Sequence, residues 1–86
     1  MSQQIIDACR EDGMRITDKR IALIRHLCEY EQPEDSVSLW LSFRAKGHKV
    51  SIAFMYQVFG HLTKMGFVKP YFNPQIRRHM YQIQAR

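Results

Sequence analysis

Four side chains at i, i+3, i+7 and i+10, namely Phe54, Gln57, His61 and Lys64, share one outward row of a helix expected over residues 52–65. Their chemistry is that of recognition. Gln57 carries the donor and acceptor pair that matches an adenine edge, Lys64 can neutralise a phosphate, and Phe54 can meet a thymine methyl. Arg77 and Arg78 stand together in a segment expected to be a hairpin tip, within reach of a polynucleotide backbone or a minor groove. Bond-breaking chemistry has less to work with. The sequence holds no G-x-x-x-x-G-K loop, no convincing pair of nucleophile and base, and no carboxylate after Asp35 to serve as a general base, so no enzyme is expected. The two cysteines, Cys9 and Cys28, read as buried thiols. His26 lies two residues from Cys28 with no C-x-x-C or H-x-x-x-H spacing after it, so neither a zinc site nor any other cofactor is expected. His48, His61 and His79 are scattered and read as surface or hydrogen-bonding groups, and Met14, Met55, Met65 and Met80 read as core filler.

Charge supports the recognition reading. The 86 residues carry 13 Lys and Arg against 8 Asp and Glu, a net charge of +5. All eight acids lie at or before Asp35, so residues 1–35 hold five basic and eight acidic side chains, net −3, and residues 36–86 hold eight basic and none acidic, net +8. A one-sided field of this kind suits a polyanion, either nucleic acid or an anionic membrane surface. No apolar run approaches the ~18–20 residues of a membrane span, and the N-terminus lacks a signal-peptide pattern, so a cytoplasmic protein without a membrane partner is expected.

The elements that must position these residues are four helices and a hairpin. Helices are expected at about 4–12, 17–29, 36–46 and 52–65, with Thr17, Asp35 or Ser36, and Ser51 as N-caps and Gly13, Gly47 and Gly66 as stops. Residues 29–35, acidic and containing Pro33, read as a surface loop. The period then changes to that of strands, and about 67–83 reads as a hairpin turning at Asn73-Pro74, with Pro70 demanding an edge position. The fold class is therefore mainly α with a small C-terminal β-hairpin: one winged helix-turn-helix domain over 1–86 in which the fourth helix enters the major groove. On that helix Ala53, Met55, Tyr56, Phe59 and Leu62 are expected to face inward.

The segment Cys9-Arg10-Glu11-Asp12-Gly13-Met14-Arg15-Ile16-Thr17-Asp18-Lys19-Arg20 resembles the stretch of the ferric uptake regulator (Fur) family in which an amphipathic helix precedes Gly, an apolar residue, Lys or Arg, an apolar residue, Thr, two residues and Arg. Ser51-Ile52-Ala53-Phe54-Met55-Tyr56-Gln57-Val58-Phe59 and Lys64-Met65-Gly66-Phe67-Val68 resemble its recognition-helix stretch, commonly L-A-T-V-Y-R, closed by Gly, an apolar residue and Val. The similarity runs over about residues 4–83. It implies that Arg15 reaches a minor groove, that Tyr56 contacts a base or phosphate, and that Arg20 supports helix packing and can touch the DNA backbone; Ser51 opens the same stretch and is grouped with the DNA-facing residues. The departures are Phe54 for the family's Thr and Gln57 for its Arg, so one charged phosphate contact is missing. Fur-family proteins continue into a domain that dimerises them and holds metal, whereas this sequence stops at Arg86. Glu31-Gln32-Pro33-Glu34 also stands where the family's interdomain metal histidine would be.

Two functional expectations follow. The first is metal-independent binding of double-stranded DNA in transcriptional regulation; a module burying only ~600–1,000 Å² would need a homodimer on a paired site for tight binding. The second is a protein-interaction module that uses Phe54, Trp40 or the hairpin residues Tyr71 and Phe72 as an apolar anchor.

Overall fold

The computed structural model describes residues 1–84. Helix α1 (Ser2–Glu11) buries Ile5, Ile6 and Cys9. It ends where Gly13, at φ 91°, donates to the Arg10 carbonyl and Met14 donates to the Cys9 carbonyl. This paired closure needs a left-handed residue, which glycine supplies without a Cβ clash. Helix α2 (Asp18–Leu27) starts on Thr17, whose side chain accepts from the Arg20 amide, and buries Leu23, Ile24, His26 and Leu27. Helix α3 (Ser36–Ala45) is capped by Asp35 and buries Leu39 and Phe43. Helix α4 (Ile52–Lys64) is capped by Ser51 and buries Met55, Val58, Phe59 and Leu62. The same closure recurs at Gly66 (φ 85°), which donates to Thr63 while Phe67 donates to Leu62, turning the chain into the strands.

The helices therefore lie within two residues of the boundaries read from the sequence. One segment differs in kind. Residues 29–35, read as loop, contain a two-residue strand, β1 (Glu34–Asp35), so the C-terminal pair β2 (Val68–Asn73) and β3 (Arg78–Ile83) belongs to a three-stranded antiparallel sheet of order β1-β3-β2. Glu34 pairs with Tyr81 and Asp35 with Met80. A strand of two residues has no alternation to read; the pairing is imposed from β3. Pro70 does lie on an edge strand, opposite Tyr81, where its missing amide breaks no ladder.

The core is continuous. Ile5, Ile6 and Cys9 of α1, Leu23, Ile24 and Leu27 of α2, Leu39 and Phe43 of α3, the α4 stripe, and Phe67 and Val68 at the start of the wing form one buried cluster. Tyr81 of β3 stacks on Phe59 with ring centroids 4.5 Å apart, which ties the sheet to α4.

Gly60 stands in the middle of α4 on the solvent side, and a Cβ built there meets nothing within 4 Å. A glycine inside a helix costs about 1 kcal/mol relative to alanine. Gly60→Ala should therefore stabilise the fold by about that amount, read as a thermal midpoint raised by roughly 4–8 °C.

Candidate nucleic-acid interface

The rotation of α4 decides what it displays. Its buried stripe is Met55, Val58, Phe59 and Leu62, so Ser51, Ala53, Tyr56, Gln57, Gly60 and Lys64 are exposed. Ser51 Oγ accepts from the Phe54 amide at 3.1 Å, so it acts as the cap as well as standing at the exposed N-terminus of α4. Gln57 and Lys64 face outward as the sequence predicted. Ala53 and Tyr56, expected inside, do not face inward. Tyr56 is 43% exposed, and its hydroxyl lies 2.8 Å from that of Ser36 at the start of α3. Phe54, expected outside, is half-buried against the core beneath the Arg20 guanidinium, whose carbon is 5.9 Å from the ring centroid. His61, also expected outside, is half-buried, with Nε2 3.3 Å from Asp12 Oδ2.

Two clefts flank this display. One, of about 320 Å³, is lined by Asp12 to Arg15, Arg20, Gln57, Val58 and His61. It brings exposed Arg15 from the α1–α2 connection alongside α4. Arg20 Nη1 donates to the Arg15 carbonyl at 2.7 Å, which fixes the backbone that presents Arg15. The other cleft, of about 290 Å³, lies on the wing side and is lined by Asp35, Ser36, Val37, Tyr56, Arg78 and His79. Tyr56 and Gln57, neighbours in sequence, thus look into opposite clefts.

The wing arginines separate. Arg77 holds the turn between β2 and β3 at φ 53°, an uncommon conformation for a residue with a side chain, and is exposed at the tip. Arg78 begins β3 and turns back, Nη1 donating to Asp35 Oδ2 at 3.1 Å. Asp35 has three tasks: β1 residue, α3 cap and partner of Arg78. Burial pushes its carboxyl up, but the Ser38 amide, the Ser38 hydroxyl and Arg78 outweigh it, so Asp35 ionises below its usual value. Tyr81 goes the other way; burial, with Tyr56 beside it, raises its phenol.

Trp40 is half-buried, its indole N–H donating to the Val50 carbonyl at 2.8 Å and its ring under Arg44. Exposed apolar side chains are found instead at Val37 and Leu41 of α3 and at Tyr71, Phe72 and Ile76 of the wing. Leu41 has no distinguishing signal, because Val37, Leu39, Trp40, Leu41 and Phe43 spread apolar residues all round α3.

Neither a scan of protein-family models nor a search of curated proteins returns a match. Solved structures do match. A peroxide-sensing regulator, PerR from Streptococcus pyogenes, superposes with a TM-score of 0.85 at 19% identity over 98% of this chain. The Helicobacter pylori ferric uptake regulator gives 0.79 at 19% identity over 100% of it, and a protein of Sulfolobus tokodaii gives 0.66 at 23% over 98%. The chain has the Fur-type winged-helix fold. It spans 57% of that PerR chain and 59% of that Fur chain.

In this Fur-type fold α3 and α4 are consecutive helices and β2–β3 is the hairpin that follows them. The Helicobacter pylori protein is described as having three functional metal-binding sites. The residues here do not fit such a centre: among the described residues no group of three or more His, Cys, Asp or Glu is placed to hold a metal ion, and the loop before α3 carries Glu31-Gln32-Pro33-Glu34. His26 is a core residue, its Nε2 2.9 Å from Ser42 Oγ, and burial lowers its pKa. No helix among the described residues is long and apolar enough to cross a membrane.

The Asp35 link has a measurable consequence. A carboxyl whose folded pKa is depressed adds stability above its unfolded value, and that contribution is lost as pH falls through the folded value. Asparagine caps helices about as well as aspartate. Asp35→Asn should therefore fold but flatten the decline of thermal midpoint between about pH 5 and pH 3, whereas an unchanged acid limb would show that Asp35 carries none of it.

Proposed function

We propose that this winged helix binds double-stranded DNA in a cytoplasmic transcriptional regulator, with α4 in the major groove. The observation that carries the reading is the setting of α4. Its exposed Tyr56, Gln57 and Lys64 are bracketed by Arg15 on one side and by Arg78 on the other, Arg77 is exposed at the hairpin tip, and α4 itself has no carboxylate. Gln57 is the base-edge reader, with the amide pair suited to adenine, and Tyr56, Lys64, Arg15 and Arg77 supply backbone or groove contacts. Ser51 lies at the helix N-terminus, where orphan amides favour a phosphate. His61 and Phe54 are half-buried and serve the reading face from beneath. Arg77 is retained at φ 53° although a left-handed conformation costs a side chain about 1 kcal/mol, which fits a residue kept at the tip for its charge.

The surface is proposed to work without a metal of its own, and two copies on a paired site would supply the area that one module lacks. A protein-interaction role anchored on Phe54 or Trp40 has less support, since both rings are half-buried and already packed against arginines.

An anisotropy titration on duplex DNA over a range of salt concentrations tests this. Arg15→Ala and Lys64→Ala should each weaken binding and lower the slope of log affinity against log salt by about 0.9, the value for one lost phosphate neutralisation. Undetectable or salt-independent binding by the unaltered chain would sink the reading.

A further inference from the structure

Away from α4, a buried polar cluster joins α2 to α3. Ser42 Oγ of α3 lies within hydrogen-bond distance of three groups: the Leu39 carbonyl at 3.0 Å, the Tyr30 hydroxyl at 2.9 Å and His26 Nε2 at 2.9 Å. A serine hydroxyl offers one proton and two lone pairs. The carbonyl only accepts, so the proton goes to Leu39 and the lone pairs accept from Tyr30 and from His26. The assignment that satisfies all three contacts therefore puts the imidazole proton on Nε2 and leaves Nδ1 a bare acceptor. Among the described residues Nδ1 is buried and finds no donor. What faces it is a second acceptor, Glu29 Oε2 at 3.8 Å. An unpaired buried acceptor opposite a carboxylate is uncommon, and one proton would pair the two. Burial argues the other way. His26 is 3% exposed, and its ring packs edge-on to Tyr30 at 5.3 Å and against Phe43 at 5.2 Å. The charged and titratable groups facing it come from both sides of the junction: Glu29 and Tyr30 beyond the end of α2, Lys46 and His48 beyond the end of α3. Glu29 is already held by Lys46, Nζ to Oε2 at 2.5 Å, so much of its pull on a second cation is spent. Burial first and Lys46 next hold the His26 pKa below its usual value; Glu29 opposes them and His48 adds to them.

We propose that His26 is a proton-operated latch between α2 and α3. Neutral, the ring holds α3 through Ser42 and fills the space between Tyr30 and Phe43. Uptake of a proton from solvent on Nδ1 makes it an imidazolium, whose charge is poorly solvated where the ring packs. The charged form is therefore favoured only when the contact between α2 and α3 opens and water reaches it. A histidine kept neutral in the folded chain contributes its full stability above its unfolded value of about 6.5, and that contribution is lost as pH falls from there toward the folded value. The latch thus begins to loosen in mild acid, above the range in which the Asp35 carboxyl protonates. The effect reaches α4 through Ser36 at the start of α3, whose hydroxyl lies 2.8 Å from that of Tyr56, so a loosened α3 also loosens the anchor of Tyr56.

Long-range proton–nitrogen NMR of the imidazoles in the whole chain, from about pH 8 to about pH 5, tests the latch, with amide exchange of α3 followed in parallel. Above its midpoint His26 should carry its proton on Nε2, and it should titrate below about pH 6.5. Protection of the α3 amides around Ser42, corrected for intrinsic exchange, should fall as pH passes below that value, by at most about tenfold per pH unit, the limit for one proton. His26 itself is left in place, since replacing a buried ring disturbs the core in its own right. Two substitutions of exposed side chains move the latch instead. Glu29→Gln removes the carboxylate that favours the charged ring and frees Lys46 to repel it, so the midpoint should move down and the loss of protection should deepen. Lys46→Gln removes a repelling charge and returns Glu29 to His26, so the midpoint should move up and the loss should shrink. A packing role alone would not shift the two midpoints in opposite directions. A neutral ring with its proton on Nδ1, a midpoint at or above about 6.5, α3 protection indifferent to pH, or two variants that shift the midpoint the same way would each overturn the latch.

Discussion

The burial of Met55, Val58, Phe59 and Leu62 sets the angle of α4 about its own axis, and everything the helix shows to solvent follows from that angle. All four side chains are at most 2% exposed. A rotation by one residue, about 100°, would drive Gln57 or Tyr56 into the core and expose Met55 and Leu62, at a cost of several kcal/mol from lost apolar burial alone. The wing contributes to the same lock, since Tyr81 stacks on Phe59 and the hydroxyl of Tyr56 is tied to Ser36. Sheet, α3 and α4 therefore hold the exposed face of α4 as one unit.

Polar links then fix the two flanks of that unit. On one side Arg20 grips the carbonyl of Arg15 and covers Phe54; on the other Asp35 caps α3, enters the sheet and holds Arg78. Each link joins elements far apart in sequence or otherwise free to drift. The aromatic ring of Phe54 packs against the core beneath the Arg20 guanidinium.

Much of this was legible. Gly13, Gly47 and Gly66 announced three helix ends and each adopts a positive φ, Thr17 and Ser51 announced two starts, and Pro70 announced an edge. The facing of α4 was not. Ile52, Ala53, Phe54, Met55, Tyr56, Val58 and Phe59 leave only Gln57 polar in its first two turns, so the pattern is apolar nearly all round and cannot select an angle. Two stripes fitted, and the expected one omitted Val58, which is 1% exposed. Tertiary contacts from Arg20 and Tyr81 made the choice. Strand β1 was hidden for a related reason, since its two residues pair only because β3 lies beside them. The wing arginines read as a pair because they are adjacent, yet a strand start and a left-handed turn residue send adjacent side chains to different places.

The division of charge along the chain also changes meaning in three dimensions. By sequence, acids fill residues 1–35 and are absent beyond, which suggests a scaffold of one sign and a binding face of the other. The fold brings the two together at the borders of α4. Asp35 meets Arg78 beside the wing cleft, and Asp12 meets His61 beside the opposite one. A carboxylate therefore stands at each flank of α4, Asp35 half-buried and Asp12 exposed. Such internal anions lower the field that the basic half projects, and they make its contacts depend on geometry. The charge of the basic half is thus partly offset at both borders of α4 by carboxylates that the acidic half supplies.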